Sequence, residues 1–144
     1  MRVIETNIEI GAPAERVWDT LMDFASFPEW NPFVTSIEGE AVVDESLSVQ
    51  LTLPSGKVMS FDPTVTAVEP NRFFQWLGKV GIKGIFDGRH SFRINPTEHG
   101  CRFEHSERFT GLLSWMMGST MRSQTAEGFE SMNRALKERC EAGA

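Results

Sequence analysis

Two histidines and a glutamate lie on the apolar faces of two consecutive strands that the sequence predicts towards its C-terminal end. Residues 85–94 and 101–109 alternate between polar and apolar types, as strands with one wet face and one core face do. His90 falls on the core side of the first run, and His105 and Glu107 fall on the core side of the second. Ionisable groups on a core face are costly unless they are paired or border a wet cavity. The pattern therefore predicts a polar cluster at a pocket.

The hairpin that joins these two strands decides which side chains meet. If residues 95–100 form the connecting loop, His90 lies opposite His105, with Cβ atoms about 4.5–5.5 Å apart, and Glu107 lies one diagonal step from His90. A register slip of one residue is disfavoured because it would turn one apolar set to solvent. A slip of two residues keeps both faces and changes the partners, so it stays open.

This cluster is compatible with more than one role. It could donate hydrogen bonds to a ligand carbonyl or hydroxyl, or transfer protons, with Glu107 orienting one imidazole. It could equally be a satisfied buried network that holds the sheet together. His90, His105 and Glu107 could supply three metal ligands, but their spacing is not typical of zinc sites, so we expect no metal. We also expect no cofactor, because a phosphate-binding glycine loop and a dinucleotide fingerprint are both absent.

Length and charge bound the class of protein. A chain of 144 residues is expected to form a single domain over residues 1–144. The net charge of -6, without a basic stripe, argues against a nucleic-acid partner. Cys101 and Cys140 do not form a disulfide framework or a zinc pattern. The sequence shows no leader and no apolar run long enough for stable membrane insertion, so we expect a cytoplasmic protein.

The elements that position the cluster follow from periodicity and turn signals. Residues 3–10 alternate as a half-buried strand, residues 14–23 have helical spacing, and residues 26–30 are typical of a short helical turn. Strands are predicted at 33–40, 47–53, 57–68 and 72–78, with Pro63 indicating an edge or a bulge. A helix is predicted from about residue 112 to residue 139. The expected fold is α+β: six to seven antiparallel strands, curved around a long C-terminal helix.

The aromatic composition suggests walls for a pocket. The chain has 11 Phe, 4 Trp, 7 Met and no Tyr, which is compatible with an ordinary core or with a partly hollow one. Residues on the predicted inner faces are the candidate ligand contacts, although each would also serve as plain packing. Beside His90, His105 and Glu107, these candidates are Phe61, Trp76, Phe86, Phe92, Met117, Met121 and Phe129.

Asn31, one apolar segment and four glycines also have expected roles. Asn31 is expected to bond the local backbone in a turn. Residues 112–117 are apolar on all sides, which favours either burial or a portal lip that contacts a membrane surface, a ligand donor or a second subunit. Gly78, Gly81, Gly84 and Gly88 are interpreted as bends of the sheet and not as part of a nucleotide site.

Four motifs in order resemble one superfamily. They are residues 10–18 (IGAPAERVW), 27–33 (FPEWNPF), 84–92 (GIFDGRHSF) and 103–107 (FEHSE). The chain resembles the START-like, or SRPBCC, superfamily over nearly its whole length, and its polyketide cyclase/dehydrase branch most closely. That resemblance implies a helix-grip fold with an internal cavity between sheet and long helix. It also implies lipids, polyketides, sterols or plant hormones as ligands, and enzymatic activity in a minority of members.

Three hypotheses follow. The leading one is a carrier or sensor that binds a small, mostly hydrophobic molecule, lipid-, polyketide- or aromatic-like, between sheet and helix. The second is a cyclase or dehydratase that uses His90, His105 and Glu107 as general acid/base residues. The third is a partner-binding module, since chaperone-associated members share the architecture, and a homodimer also stays open.

Overall fold

The structure, a computed structural model, describes residues 2–79, 84, 87–112, 114 and 117–142. Within them the chain forms eight strands and three α-helices. The first elements are β1 (Arg2–Ile10), α1 (Ala14–Met22), a 3-10 turn (Phe24–Ser26) and α2 (Phe27–Trp30). There follow β2 (Val34–Glu38), β3 (Ser48–Thr52), β4 (Val58–Phe61), β5 (Thr64–Glu69), β6 (Phe73–Lys79), β7 (Asp87–Thr97), β8 (Gly100–Thr110) and α3 (Ser119–Ala142).

The strands form two antiparallel sheets, and α3 packs on the larger one. The larger sheet has the order β1-β8-β7-β6-β5, and the smaller has the order β2-β3-β4. α3 packs chiefly against β1 and also touches β8. This is the expected α+β helix-grip architecture. The strand count exceeds the prediction because residues 57–68 divide at Pro63 into β4, which pairs with β3, and β5, which pairs with β6. Proline has no N–H to donate to a sheet ladder, which explains the break.

The inner face of the larger sheet presents side chains in rows that cross neighbouring strands. Cα pairing aligns the residues of each row because all of these strand pairs are antiparallel and in register. The first row reads Trp76, His90, Glu107, Ile4. The second reads Phe74, Phe92, His105, Thr6. The third, nearer the C-terminal end of β6, reads Gly78, Gly88, Phe109, Arg2.

The register between β7 and β8 differs from the prediction by two residues. His90 lies opposite Glu107, and Phe92 lies opposite His105. The predicted pairing of His90 with His105 across the strands is therefore wrong. A slip of two residues leaves every side chain on the same face, so alternation could not distinguish the two registers.

A short turn accounts for this register. The strands continue through most of the predicted loop and leave only Glu98 and His99 between them. Gly100 then begins β8 directly against the end of β1, where a Cβ atom would overlap the carbonyl oxygen of Ile10. A glycine at this position therefore allows the turn of the hairpin to lie directly against β1.

The long helix begins later than the periodicity predicts. α3 starts at Ser119 and not near residue 112, so Met117 precedes the helix, although it is buried. Met121 was expected on the buried side of the helix, but it is 39% exposed. Residues 119–123 are all exposed and burial begins at Thr125, so the first turn and a half of α3 lies beyond the part of the helix that the core covers. The predicted lip at 112–117 is described only at Leu112, which is exposed, and at Ser114 and Met117, which are buried; its other residues lie outside the described ones.

Two buried polar residues serve the backbone. Asn31 Oδ1 accepts hydrogen bonds from the N–H groups of Phe33 (3.0 Å) and Val34 (2.8 Å), which confirms its expected turn role. Asp87 occupies a polar position in the alternation of residues 85–94, which predicts a wet face, but it is only 7% exposed. Its carboxylate accepts the N–H of Gly84 at 3.0 and 3.2 Å, which compensates the buried oxygens.

Candidate functional site

β7 and β8 bring the predicted histidines and glutamate together. His90 Nε2 lies 2.7 Å from His105 Nε2, and His90 Nδ1 lies 3.2 Å from Glu107 Oε1. The two imidazoles therefore meet along a diagonal of the hairpin, while His90 and Glu107 meet directly across it. His90 and His105 are inaccessible, at 1% and 0% exposure, whereas the Glu107 side chain is 16% exposed. Glu107 is the member of the trio that solvent or a ligand can reach.

Two residues that the sequence analysis did not assign complete the network. Asn133 Oδ1 lies 3.0 Å from His105 Nδ1, and Asn133 Nδ2 donates to Thr6 Oγ1 at 2.9 Å. Thr6 Oγ1 in turn donates to the backbone carbonyl of His105 at 2.8 Å. The sequence pattern already places both residues on inward faces. Asn133 follows Phe129 by four residues on the buried stripe of α3, and Thr6 alternates with isoleucines on β1.

Aromatic rings enclose both histidines. Trp76 stacks on His90 with ring centroids 4.8 Å apart, and Phe129 stacks on His105 at 4.1 Å and 8°. Phe92 contacts both imidazoles, at 4.9 and 4.8 Å. Three of the predicted wall residues therefore pack directly on the polar cluster. These rings exclude water from the two imidazoles, which strengthens the hydrogen bonds between them.

Beside the cluster, two glycines leave a strip of the inner face without side chains. Gly78 and Gly88 are Cα partners on β6 and β7. A Cβ atom on Gly78 would stand 3.3 Å from the Phe61 ring, and one on Gly88 would overlap Glu107 Oε2. The strip, defined by Gly78 and Gly88, therefore makes room for the Phe61 ring and the Glu107 carboxylate. Its glycines have this packing role in addition to any bend.

The remaining predicted contacts are dispersed. Met117 is buried, and Phe61 is half-buried against the core. Met121 is exposed, so the structure does not bring it into the core with the others. Phe86 lies outside the described residues, as does Gly81.

Burial sets the protonation of His105. The pKa of His105 lies well below its usual range, first because burial disfavours the charged ring and second because His90 is close. Hydrogen bonds from its ring to Asn133 and to the backbone of Phe129 oppose this shift only in part. His105 is therefore neutral near pH 7 and acts as a hydrogen-bonding link. The cluster can accept a hydrogen bond at Glu107, its accessible end.

Two surface concavities lie away from these residues. One, of about 380 Å³, lies mainly on the outer face of the larger sheet and includes Gln75, Ser91 and Glu104 in its lining. The other, of about 320 Å³, is lined by the smaller sheet and includes Phe61 and Gln50. Neither His90, His105 nor Glu107 lines either of them.

Other chemistries have little support in the described part of the chain. Cys101 and Cys140 are buried and free, and burial raises the pKa of the Cys101 thiol to about 11, which suppresses thiolate chemistry. No group of three or more His, Cys, Asp or Glu side chains that could hold a metal occurs among the described residues. None of the helices described here is long and apolar enough to cross a membrane.

Known proteins share this fold along its whole length. The chain resembles protein MLL2253 from Mesorhizobium loti, at 16% identity, TM-score 0.76 and 99% coverage of both chains. It also resembles a START superfamily protein from Mycobacterium smegmatis, at 17% identity, TM-score 0.74 and 99% coverage of both. A third likeness is to StfQ, a di-domain ARO/CYC protein of the steffimycin biosynthetic pathway, at 16% identity and TM-score 0.75, with 99% of this chain and 53% of that chain covered.

Sequence comparison gives the family. Comparison with curated protein sequences yields no significant match. The profile of the family described as polyketide cyclase / dehydrase and lipid transport matches residues 1–141, nearly the entire chain. With the helix-grip fold and the polar cluster on its inner face, this match leads to one conclusion: the chain belongs to the polyketide cyclase/dehydrase and lipid transport family.

Proposed function

We propose that this protein binds a small, mostly hydrophobic molecule between the inner face of the larger sheet and α3, as a carrier or sensor. The observation that carries this proposal is the partly exposed carboxylate of Glu107, which ends an otherwise buried network beside the Gly78–Gly88 strip. A soluble domain gains little from such an arrangement unless the carboxylate meets a polar group that enters from outside.

The surroundings of Glu107 supply apolar contacts for such a molecule. Phe109 and Ile4 flank Glu107 on the same face of β8 and β1, and the Phe61 ring lies over Gly78. Met117, a flexible apolar side chain buried before α3 in the same hydrophobic core, is included among the proposed contacts. We assign these residues to direct contact with the ligand. Trp76, Phe92 and Phe129 pack on the histidines and support the site from behind.

The apolar contacts and the hydrogen bond to Glu107 are expected to contribute differently to the free energy of ligand binding. Burying about 150 Å² of apolar ligand surface contributes roughly 4 kcal/mol at about 25 cal/mol per Å². A hydrogen bond to a charged group contributes about 1.5–3 kcal/mol. The apolar contacts therefore set most of the affinity, and Glu107 sets the orientation of the ligand and its chemical selectivity.

Native mass spectrometry of freshly purified protein tests this proposal, followed by solvent extraction of whatever is bound. We expect a mass above that of the chain, from a largely apolar molecule that extraction recovers. The stripped protein should bind an apolar fluorescent probe, and excess extracted ligand should displace it. A protein that is empty as isolated and that binds no apolar probe would refute the proposal.

A second candidate function, an acid/base enzyme of the cyclase or dehydratase type, has one observation in its favour. The hydrogen bond between His90 and Glu107 links an accessible carboxylate to an imidazole that can share its proton. If the protein is an enzyme, Glu107→Gln should abolish turnover of the bound molecule while affinity persists. Glu104→Gln, on the outer face of the same strand, is the matched control and should leave turnover unchanged. A carrier shows no turnover with either variant or with the wild type.

A further inference from the structure

The hydrogen bonds of the network have a direction that begins at Thr6. A carbonyl oxygen can only accept, so the single hydroxyl proton of Thr6 is committed to the backbone carbonyl of His105. Thr6 Oγ1 must then accept from its other partner, Asn133, and only the amide Nδ2 of Asn133 can donate. The orientation of the Asn133 amide is thereby settled, with Oδ1 turned towards His105.

This orientation determines the tautomers of both histidines. Asn133 Oδ1 is an acceptor, so His105 Nδ1 carries the proton. Because His105 is neutral, its Nε2 is an acceptor, and His90 Nε2 must donate across the 2.7 Å contact. A neutral His90 then has a bare Nδ1 facing the Glu107 carboxylate, 3.2 Å away.

Two acceptors cannot bond to each other, so one proton must lie between His90 Nδ1 and Glu107 Oε1. Either His90 is charged and Glu107 is a carboxylate, or His90 is neutral and Glu107 is a carboxylic acid. The pair is electrically neutral in both states, which lowers the cost of burying it. In both states the proton is held at Oε1, and the other oxygen, Oε2, is left as an acceptor.

We propose that Thr6 and Asn133 are positioning residues that set the tautomers of His105 and His90, so that Glu107 Oε2 selects ligands with a hydroxyl donor, such as a phenol or an enol. The ligand part of this inference rests on the proposed binding function. Oε2 is the oxygen that lies over Gly88 at the edge of the bare strip, where the proposed ligand contacts meet. A ligand that offers only an ether or carbonyl oxygen would place a second acceptor against it, at a cost.

The tautomer chain can be measured in the ligand-free protein. Long-range 1H–15N NMR of histidine-labelled protein should show a protonated Nδ1 and a bare Nε2 on His105, and a protonated Nε2 on His90. Thr6→Val removes the hydroxyl that orients Asn133 and should give a mixture of His105 tautomers, whereas Thr6→Ser should retain the wild-type pattern. A protonated Nε2 on His105 in the wild type, or a Thr6→Val spectrum with wild-type tautomers, would overturn the positioning role.

The ligand class can be measured with a matched pair of probes. Calorimetric titration should show that the wild type binds 2-naphthol at least tenfold more tightly than 2-methoxynaphthalene, which lacks the donor. Glu107→Met keeps the length of the side chain and removes the acceptor, so the ratio should fall to about one. Equal affinities in the wild type would overturn the selectivity and leave the binding function intact. Absence of binding for both probes would count against the binding function itself, while the NMR result would still decide the tautomers.

Discussion

Replacing Gly88 with alanine tests whether the glycine strip holds the Glu107 carboxylate in place. The new methyl group would overlap Glu107 Oε2 and stand 3.3 Å from Cδ, so the carboxylate has to move away from His90. Loss of the buried hydrogen bond between His90 and Glu107 should cost about 1.5–3 kcal/mol of unfolding free energy. Alanine also reduces the conformational entropy of the unfolded chain relative to glycine, which should raise the free energy of unfolding by about 0.4–1 kcal/mol. We therefore expect a net loss of about 1–2 kcal/mol.

A double-mutant cycle with Glu107→Ala isolates the cause. In that background the carboxylate is gone and the methyl group fits, so Gly88→Ala should be neutral or slightly stabilising. The coupling energy from urea unfolding, followed by tryptophan fluorescence, should be about 2 kcal/mol. Gly78→Ala is the matched control, because its Cβ would stand 3.3 Å from a Phe61 ring that can tilt, and it should not couple to Glu107→Ala. If the Gly88→Ala and Glu107→Ala effects simply add, the proposed contact does not control the position of the carboxylate.

Three further predictions concern the elements around the site. Below about pH 6.5 His105 takes up a proton in the unfolded chain but not in the folded protein, because burial lowers its pKa in the folded state. The free energy of unfolding should therefore fall below that pH by up to about 1.4 kcal/mol per pH unit. A His105→Gln variant should show a shallower fall in urea titrations at pH 7, 6 and 5. Gly128→Ala would place a methyl 2.5 Å from the Phe33 ring and should lower stability by about 1–3 kcal/mol in thermal unfolding, whereas Gly118→Ala, with open space, should not. Asn31→Ala leaves two backbone N–H groups without their acceptor and should cost about 2 kcal/mol by urea unfolding. A loss below about 0.5 kcal/mol would contradict the turn role.

Alternation along the strands was enough to predict which face each site residue occupies. His90, His105 and Glu107 lie on the inner face as the pattern indicated, because a face is a local property of a strand. Their pairing was not predictable in the same way, since registers that differ by two residues have identical faces. The tight turn at Glu98 and His99 decides between them, and its length depends on how β8 fits against β1.

Other parts of the site depend on tertiary packing that periodicity does not report. Met121 is in phase with the buried stripe of α3, yet it is exposed because the core covers the helix only from Thr125 onwards. Asn133 and Thr6 are single polar residues within apolar patterns, which a pattern alone treats as exceptions. Their role as hydrogen-bonding partners of His105 is evident only in the folded structure, where β1, β8 and α3 bring the three residues together.

The measurement that tests the central claim most directly is the position of a bound ligand. Intermolecular NOEs from unlabelled 2-naphthol to uniformly 13C- and 15N-labelled protein would locate it. Binding on the inner face beside Glu107 predicts contacts to Ile4 and Met117, which should weaken in a Glu107→Met variant because that variant lowers the affinity for 2-naphthol. Contacts instead to Gln75 and Ser91, in the concavity on the outer face of the larger sheet, would contradict the account.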